Sequence, residues 1–290
     1  MLSIQNPTQL NELKNNKFYG ELPNLNNSVI NFKGKNNILI CEENVTLENS
    51  RIEFNQDNSI LYLSNNNHNY KLNLSINNNN LVFIGKNNFM NGTITIVLSE
   101  EKNVIIGENN LFSYNIVLRV ADAHLIYSSK THKRINISKS IVIGDHVWIG
   151  ESVRILKGCI IGSGAIIGAG SVLSNKKVNS NTSWAGNPAK EIRKNIFWSG
   201  ESVHTYTKEK TLKTMDCHTN EFIYSSDENT FSLKIMEETI NNLNSAEEKK
   251  EFILNTFTTN NKNRFHYQNQ KSIFKKIYKK LSSSFKLKHL

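Results

Sequence analysis

Only three cysteines occur in the 290 residues, Cys41, Cys159 and Cys217. Their odd number and wide spacing leave no disulfide framework, Cys-based metal site or redox pair, and a reducing compartment suits them. The start, Met1-Leu2-Ser3-Ile4-Gln5-Asn6-Pro7, has neither a basic leader nor a long apolar stretch, so it does not read as a secretion signal. Acidic residues stop at Glu251, and nine lysines and arginines follow it. The net charge of +10 therefore sits almost wholly in the tail, with about +1 on residues 1–251. That distribution argues against a basic nucleic-acid groove in the body. A membrane-length apolar run is also missing. Residues 158–175 are uncharged, but they hold five glycines and three serines, and their isoleucines recur at a fixed interval. Hydrophobic content of 38% with 21% charged residues fits a soluble globular chain.

Asparagine is abundant instead, with 29 in the first 110 residues. It tolerates left-handed backbone and closes turns. Its clusters alternate with short β-branched runs such as Val29-Ile30-Asn31-Phe32, Ile38-Leu39-Ile40, Ile60-Leu61-Tyr62-Leu63 and Leu81-Val82-Phe83-Ile84. Short strands between Asn and Gly corners predict ordered β structure.

A stricter pattern follows. Ile137, Ile143, Ile149, Ile155, Ile161, Ile167 and Leu173 lie six residues apart. Glycine follows four of them, at Gly144, Gly150, Gly162 and Gly168. A small or branched residue comes four places after most: Val147, Val153, Cys159, Ala165, Ser171. Each hexapeptide makes one short strand and one corner, and three make a triangular coil of about 18 residues, so the pattern predicts a parallel β-helix. Ile143 should stack on Ile161 and Ile149 on Ile167. The glycines are expected to free the corner backbone, and Cys159 reads as an inert core thiol. Ile84-Gly85 and Ile106-Gly107 begin looser copies, so the solenoid is expected from about residue 28, with residues 1–27 as its cap.

The period lapses over 121–136, a polar insertion carrying His124, His132, Lys130, Lys133 and Arg134. Here the sequence resembles the hexapeptide-repeat acyltransferases. The resemblance rests on Asp122-Ala123-His124, Ile143-Gly144-Asp145-His146-Val147-Trp148-Ile149-Gly150, Gly168-Ala169-Gly170-Ser171-Val172 and Gly186-Asn187-Pro188-Ala189-Lys190, in the family's order. It covers about 84–198, and more weakly 28–84. The extension Glu191-Ile192-Arg193-Lys194-Asn195-Ile196-Phe197-Trp198 further resembles the branch that acetylates bacterial surface polysaccharides, sialic-acid capsules included.

The resemblance implies a left-handed β-helix over 28–198, divided into irregular coils (28–120), an active-site loop (121–136) and regular hexapeptides (137–185). A helical extension (199–258) and a basic tail (259–290) would follow. It implies acetyl-CoA as donor, no metal, and a homotrimer with sites between subunits, so that His124 and the coenzyme A groove come from different chains. His124 matches the family's catalytic histidine, and a histidine base is apt near neutral pH. Asp122 would orient that imidazole or touch the acceptor. Trp148 would line the site near the thioester sulfur, its indole N–H a donor. His146 sits on a regular turn and is not expected to be the base; His132 is the better competitor. Gly168, Ala169, Gly170 and Ser171 with Gly186, Asn187 and Pro188 would leave room for coenzyme A. Lys190 and Arg193 would meet its phosphates, and Trp184 its pantetheine or adenine. Lys130, His132, Lys133 and Arg134 would face an acidic polysaccharide acceptor. No Ser-His-Asp nucleophile arrangement is present, so direct transfer in a ternary complex is expected.

Beyond Trp198, one helix is expected around Phe231, Ile235, Ile240 and Leu243, and another around Phe252, Ile253 and Phe257 after a Ser245–Glu248 capping box. They would cover the last coil. Residues 271–288 place Ile273, Phe274, Ile277, Tyr278, Leu281 and Phe285 within about 140° of a helical wheel, opposite four lysines. This pattern suits an anionic membrane surface, an acidic polymer or an unstructured tail. A cytoplasmic enzyme, peripheral at the inner membrane face, is the matching location. Three other functions stay open. The acceptor could be a small molecule: a sugar nucleotide, serine or an antibiotic. The β-helix could be a non-catalytic glycan-binding scaffold. It could also be a zinc hydratase, although His124, His132 and His146 lack a His-x4-His spacing.

Overall fold

Short strands joined by sharp corners cannot pair with their sequence neighbours, because each corner carries the chain onto another side. Each strand pairs instead with the strand one coil later. The computed structural model describes residues 2–259 and 261–269, which form a left-handed parallel β-helix with three sides. Sheet I runs from Leu2–Ile4 and Val29–Phe32 through Val117–Arg119 to Val172–Leu173. Sheet II runs from Lys17–Gly20 through Val104–Ile106 and Ile141–Ile143 to Lys177–Val178. Sheet III runs from Phe89–Met90 through Trp148–Ile149 to Thr182–Ala185. Within a coil the chain visits II, III and I in that order.

The expected stacks are present. Ile143 pairs with Ile161, Ile149 with Ile167, and Ile155 with Leu173, and all six are buried. Val147, Val153, Cys159, Ala165 and Ser171 are buried as well. Burial of this kind is worth about 1.5–3 kcal/mol per aliphatic side chain. Ile137 is an exception: it is 54% exposed. The chain is still returning from the 121–136 loop there, and the inward series begins only at the Ile141–Ile143 strand.

One correction concerns the corners. Gly144, Gly150, Gly162 and Gly168 do not adopt positive φ. They permit close approach instead: a Cβ on Gly150 would lie 2.6 Å from the Ala169 amide nitrogen, and one on Gly144 2.7 Å from that of Ser163. The left-handed corners belong mostly to asparagine. At one corner the column reads Asn87, Asn109, His146, Gly164 and Asn181, all at positive φ. Other asparagines are buried and cap the next coil: Asn37 N donates to Asn16 Oδ1 and Ser59 N to Asn37 Oδ1, both at 2.9 Å. Many of these bonds link residues 22 apart, as in Asn31 to Glu53, whereas Asp145 N reaches Ser163 Oγ 18 residues on. The early coils are therefore larger, with strands of about four residues where the hexapeptides have two.

The parallel ladder starts at Lys17–Gly20, earlier than expected. Ahead of it, Leu2–Ile4 pairs antiparallel with Val29–Phe32, and the 3-10 helix Pro7–Glu12 buries Leu10. At the other end, α1 (Lys208–Lys213) buries nothing. Helices α2 (Leu233–Asn241) and α3 (Ala246–Thr256) do not cover the last coil. They lie on the outer face of sheet II, where Leu233, Met236, Ile240, Ile253 and Phe257 pack with Ile38, Ile60, Tyr62 and Phe83. Ile235 points to solvent. The Ser245–Glu248 capping box forms as expected. Lys249, 1% exposed, donates to the carbonyl of Asn79 at 2.6 Å, and burial pushes its ammonium down to about 8. The proposed amphipathic segment 271–288 lies outside the described residues. Among those described, no helix is long and apolar enough to cross a membrane.

Ile155 and Ile137 belong to the same six-residue series but differ in burial. Ile155→Ala should cost about 2–5 kcal/mol in denaturant unfolding, and Ile137→Ala under about 0.5 kcal/mol. Equal losses would mean that residue 137 is inside the solenoid.

Candidate active site

The 121–136 loop leaves at the corner between sheets I and II and is tied down at its base. Arg134 grips Glu100 with both guanidinium nitrogens, at 2.5 and 2.8 Å, and Ser138 Oγ also donates to that carboxylate. Hydrogen bonding from Arg134 and then Ser138 draws the Glu100 carboxyl down to about 2. Arg134 is thus committed within the protein, which corrects its assignment to an acceptor. Asp122 does not orient the imidazole: it lies in irregular chain between bends, and its carboxylate, 44% exposed, accepts from Lys157 Nζ at 2.5 Å and Asn136 Nδ2 at 3.1 Å. The Lys157 hydrogen bond holds the Asp122 carboxyl below the usual range. Asn136 Nδ2 also donates to the His124 carbonyl at 2.7 Å. Asp122 therefore fixes the backbone under His124.

The His124 imidazole is exposed and carries no hydrogen bond or ion pair among the described residues. Lys130, His132 and Lys133 form the loop's tip, all exposed, with His132 at positive φ. Leu125, Ile126, Tyr127 and Ile135 on the loop's flanks are exposed as well.

Trp148 stands on the outer face of sheet III, in a row with Phe89, Leu111, Ile166 and Ser183 from other coils. It is 41% exposed, and its ring lies 5.9 Å from that of Trp198. His146, two residues earlier, is buried between Trp198 and Phe222, with ring centroids 4.0 and 4.2 Å away. Burial lowers its imidazole pKa. A left-handed corner sandwiched by two rings accounts for His146.

The residues expected to hold coenzyme A divide into two groups. Ala169, Gly170, Gly186, Asn187 and Pro188 are exposed together at the corner between sheets III and I. A Cβ on Gly170 would meet nothing within 4 Å, so this surface is open. The chain reverses at the cis Asn187–Pro188 bond, and Lys190–Lys194 returns antiparallel to Thr182–Ala185. Lys190 and Arg193 project from it without ion pairs among the described residues. Ser171, by contrast, is buried: its Oγ donates to the Gly168 carbonyl and accepts from Gly186 N at 3.1 Å. Trp184 continues the inward column Ile149–Ile167–Trp184 and packs on the core, with its indole N–H on Thr182 Oγ1. It is half-buried where the last coil ends.

Several residues of this region carried no local signal in the sequence: Glu100 and Lys157 under the loop, and Phe222 beside the Trp148 turn. Each comes from a different coil or from the extension. The three-sided order also separates the two halves of the site. A loop at the corner between sheets I and II lies across the triangle from sheet III, so His124 and Trp148 of one chain face opposite ways.

The Glu100–Arg134 pair should govern the loop alone. Glu100→Gln should loosen it by roughly 1 kcal/mol, a partly exposed pair being screened, read as about fivefold faster amide exchange over 121–136. Because the folded Glu100 carboxyl is depressed, the contribution is present above pH 4.5 and is lost as pH falls through about 2. Unchanged exchange would mean that the pair does not hold the loop.

The family model described as bacterial transferase hexapeptide (six repeats) matches residues 140–175. Among solved structures, the polysialic-acid-specific acetyltransferase NeuO is 31% identical, covering 69% of this chain and 93% of its own, with a TM-score of 0.59. The polysialic acid O-acetyltransferase OatWY is 25% identical, covering 69% of this chain and 98% of its own, with a TM-score of 0.51. A galactoside acetyltransferase in complex with coenzyme A is 33% identical over 39% of this chain and 55% of its own, with a TM-score of 0.34. No curated protein matches the chain. The repeat, the fold and a likeness spanning nearly all of NeuO make this chain a member of the hexapeptide-repeat acyltransferases, and an acyltransferase itself.

Proposed function

We propose that the chain is an acetyl-CoA-dependent O-acetyltransferase acting on hydroxyls of a bacterial surface polysaccharide, as a homotrimer with its sites between subunits. The observation that carries this reading is an exposed, unpaired imidazole at His124 in a chain resembling two polysialic-acid acetyltransferases over almost their whole length. His124 takes the proton of an acceptor hydroxyl as its oxygen attacks the thioester carbonyl. In this reading the Trp148 indole N–H donates to the developing charge. The C–S bond breaks, and the proton passes from His124 to the leaving thiolate. Use of acetyl-CoA fits a cytoplasmic reaction.

The trimer is supported by the opposed positions of His124 and Trp148. Sheet II is already covered by α2 and α3, which leaves sheets I and III to meet other copies. The apolar loop flank, Leu125, Ile126, Tyr127 and Ile135, would reach across. Ala169, Gly170 and the 186–188 turn would leave room for the donor, with Lys190 and Arg193 at its phosphates. Lys130, His132 and Lys133 give the acceptor side its positive charge, and exposed Arg119 at the loop's root adds to it. That charge favours an acidic polymer.

Thiol release from acetyl-CoA, with acidic polysaccharides, neutral polysaccharides and free sugars, tests the reaction. His124→Ala should lose at least about a hundredfold in kcat, as expected for a general base. Equal turnover would remove His124, and turnover only with small sugars would remove the polymer. A mixing experiment tests the shared site. His124→Ala and Trp148→Ala chains, each depleted alone, should regain about a quarter of wild-type activity when reassembled at equal ratio, because a cyclic trimer pairs one chain's loop with the next chain's face. No recovery would place both residues in one chain's site.

A further inference from the structure

The turn that presents Trp148 is gripped from outside by the C-terminal segment. Arg264, only 2% exposed, directs Nε and Nη2 at both oxygens of Asp145, at 3.3 and 3.1 Å. Nη2 also lies 3.3 Å from Glu108 Oε1, one coil earlier. Nη1 donates to the carbonyls of Phe257 at 2.7 Å and Thr259 at 2.9 Å, joining the turn to the end of α3. Past Arg264 the chain follows the same corner upward. Ser163 N donates to the Phe265 carbonyl at 3.3 Å and Ser180 N to that of Tyr267 at 2.8 Å. The hexapeptide glycines make room for this strap: a Cβ on Gly144 would lie 3.1 Å from the Phe265 Cβ, and one on Gly162 3.0 Å from that of Tyr267. A second grip comes from Trp198. Its Nε1–H donates to the His146 carbonyl at 3.0 Å, and His146 Nε2–H donates to the Trp198 carbonyl at 2.9 Å.

We propose that this C-terminal strap positions Trp148 for acyl transfer, with Arg264 as its principal positioning residue, acting through Asp145. The proposal rests on the reading of Trp148 given above. Three observations separate positioning from plain stabilisation. A buried ion pair is a poor source of stability, since apolar groups of the same shape do as well or better. What the guanidinium fork adds is fixed geometry at both carboxylate oxygens. Trp148 sits in a strand of only two residues, Trp148–Ile149, so the sheet alone gives the turn few bonds. The carboxylate also has reserved space: a Cβ on Gly107 would lie 2.3 Å from Asp145 Oδ1. Burial raises the Asp145 carboxyl to about 6 even with Arg264 drawing it down, so the carboxylate depends on its partner.

The test uses the full chain and three variants: Arg264→Lys, Asp145→Asn and the double variant Arg264→Met/Asp145→Asn. The double variant leaves no lone charge between the two residues but also removes the donors to Glu108 and to the Phe257 and Thr259 carbonyls, so its melting temperature should fall modestly while the chain stays folded. Amide exchange over 144–150 should nevertheless rise at least tenfold. Its kcat for acetyl transfer should fall by about ten- to a hundredfold, as for a misplaced reacting group, with KM for the polymer within about twofold. Arg264→Lys, which keeps the charge and loses the fork, should fall between. Should the double variant fail to fold, the two single variants read the same exchange and kcat. Retained protection and retained kcat in a folded variant would overturn the proposal. If wild-type protein transfers no acetyl group, the functional reading fails by itself, and exchange over 144–150 still decides whether the strap holds the turn.

Discussion

The coil-on-coil stack is the constraint on which the rest of the molecule depends. Each strand satisfies its amides on the next coil, and each inward aliphatic rests on its equivalent one coil away, as Ile143 rests on Ile161. Such a stack tolerates variation only at its corners and on its outer faces. A corner needs left-handed backbone, supplied here mostly by asparagine, or close approach between coils, supplied by glycine. Because the stack is repetitive, any feature placed at a corner inherits a fixed position relative to the three sides. The loop bearing His124, the turn bearing Trp148 and the open surface at Gly170 therefore sit at positions set by where along the coil the repeat was interrupted or decorated.

The outer faces then share out the remaining tasks. Sheet II carries Ile38, Ile60, Tyr62 and Phe83 on its outside and would be insoluble if bare; α2 and α3 cover it. Sheet III keeps Phe89 and Trp148 partly open, and the loop keeps its apolar flank open. A single chain thus covers one side, and in the proposed reading the other two meet copies of itself. In the proposed reading the acceptor charge and the donor surface belong to different corners for the same reason.

The hexapeptides were legible because their period is strict and each position has one physical role. The Asn-rich coils were legible as β structure but not in size, since a four-residue strand and a two-residue strand look alike when corners are irregular. Ile137 fits the period and fails the structure, because spacing alone does not tell a returning loop from the first rung. At the candidate site, the ring of His124 is exposed on the inserted loop and Trp148 faces outward. Ser171, Trp184, Asp122 and Arg134 have partners within the protein that the sequence did not show: Gly186, the core column, Lys157 and Glu100 lie one coil or more away, and sequence distance hides them. The helices α2 and α3 were visible from their apolar spacing and capping box, but the side they cover depends on which outer face is apolar in three dimensions.

Charge shows the same limit most clearly. Counted along the chain, Arg264 belongs to a basic tail. In the fold it is buried against Asp145 and Glu108 and belongs to the turn before Trp148. Arg134 and Lys157 are likewise taken, by Glu100 and Asp122. Once these pairs are set aside, the cations near the candidate site without an ion pair among the described residues include Arg119, Lys130 and Lys133 on the loop side and Lys190 and Arg193 on the other. This remainder, not the net charge, is the field that an anionic substrate would meet. In the proposed reading, its division between two corners of the triangle gives a polyanionic acceptor and a phosphate-bearing donor each its own counter-charge, without competition for the other's.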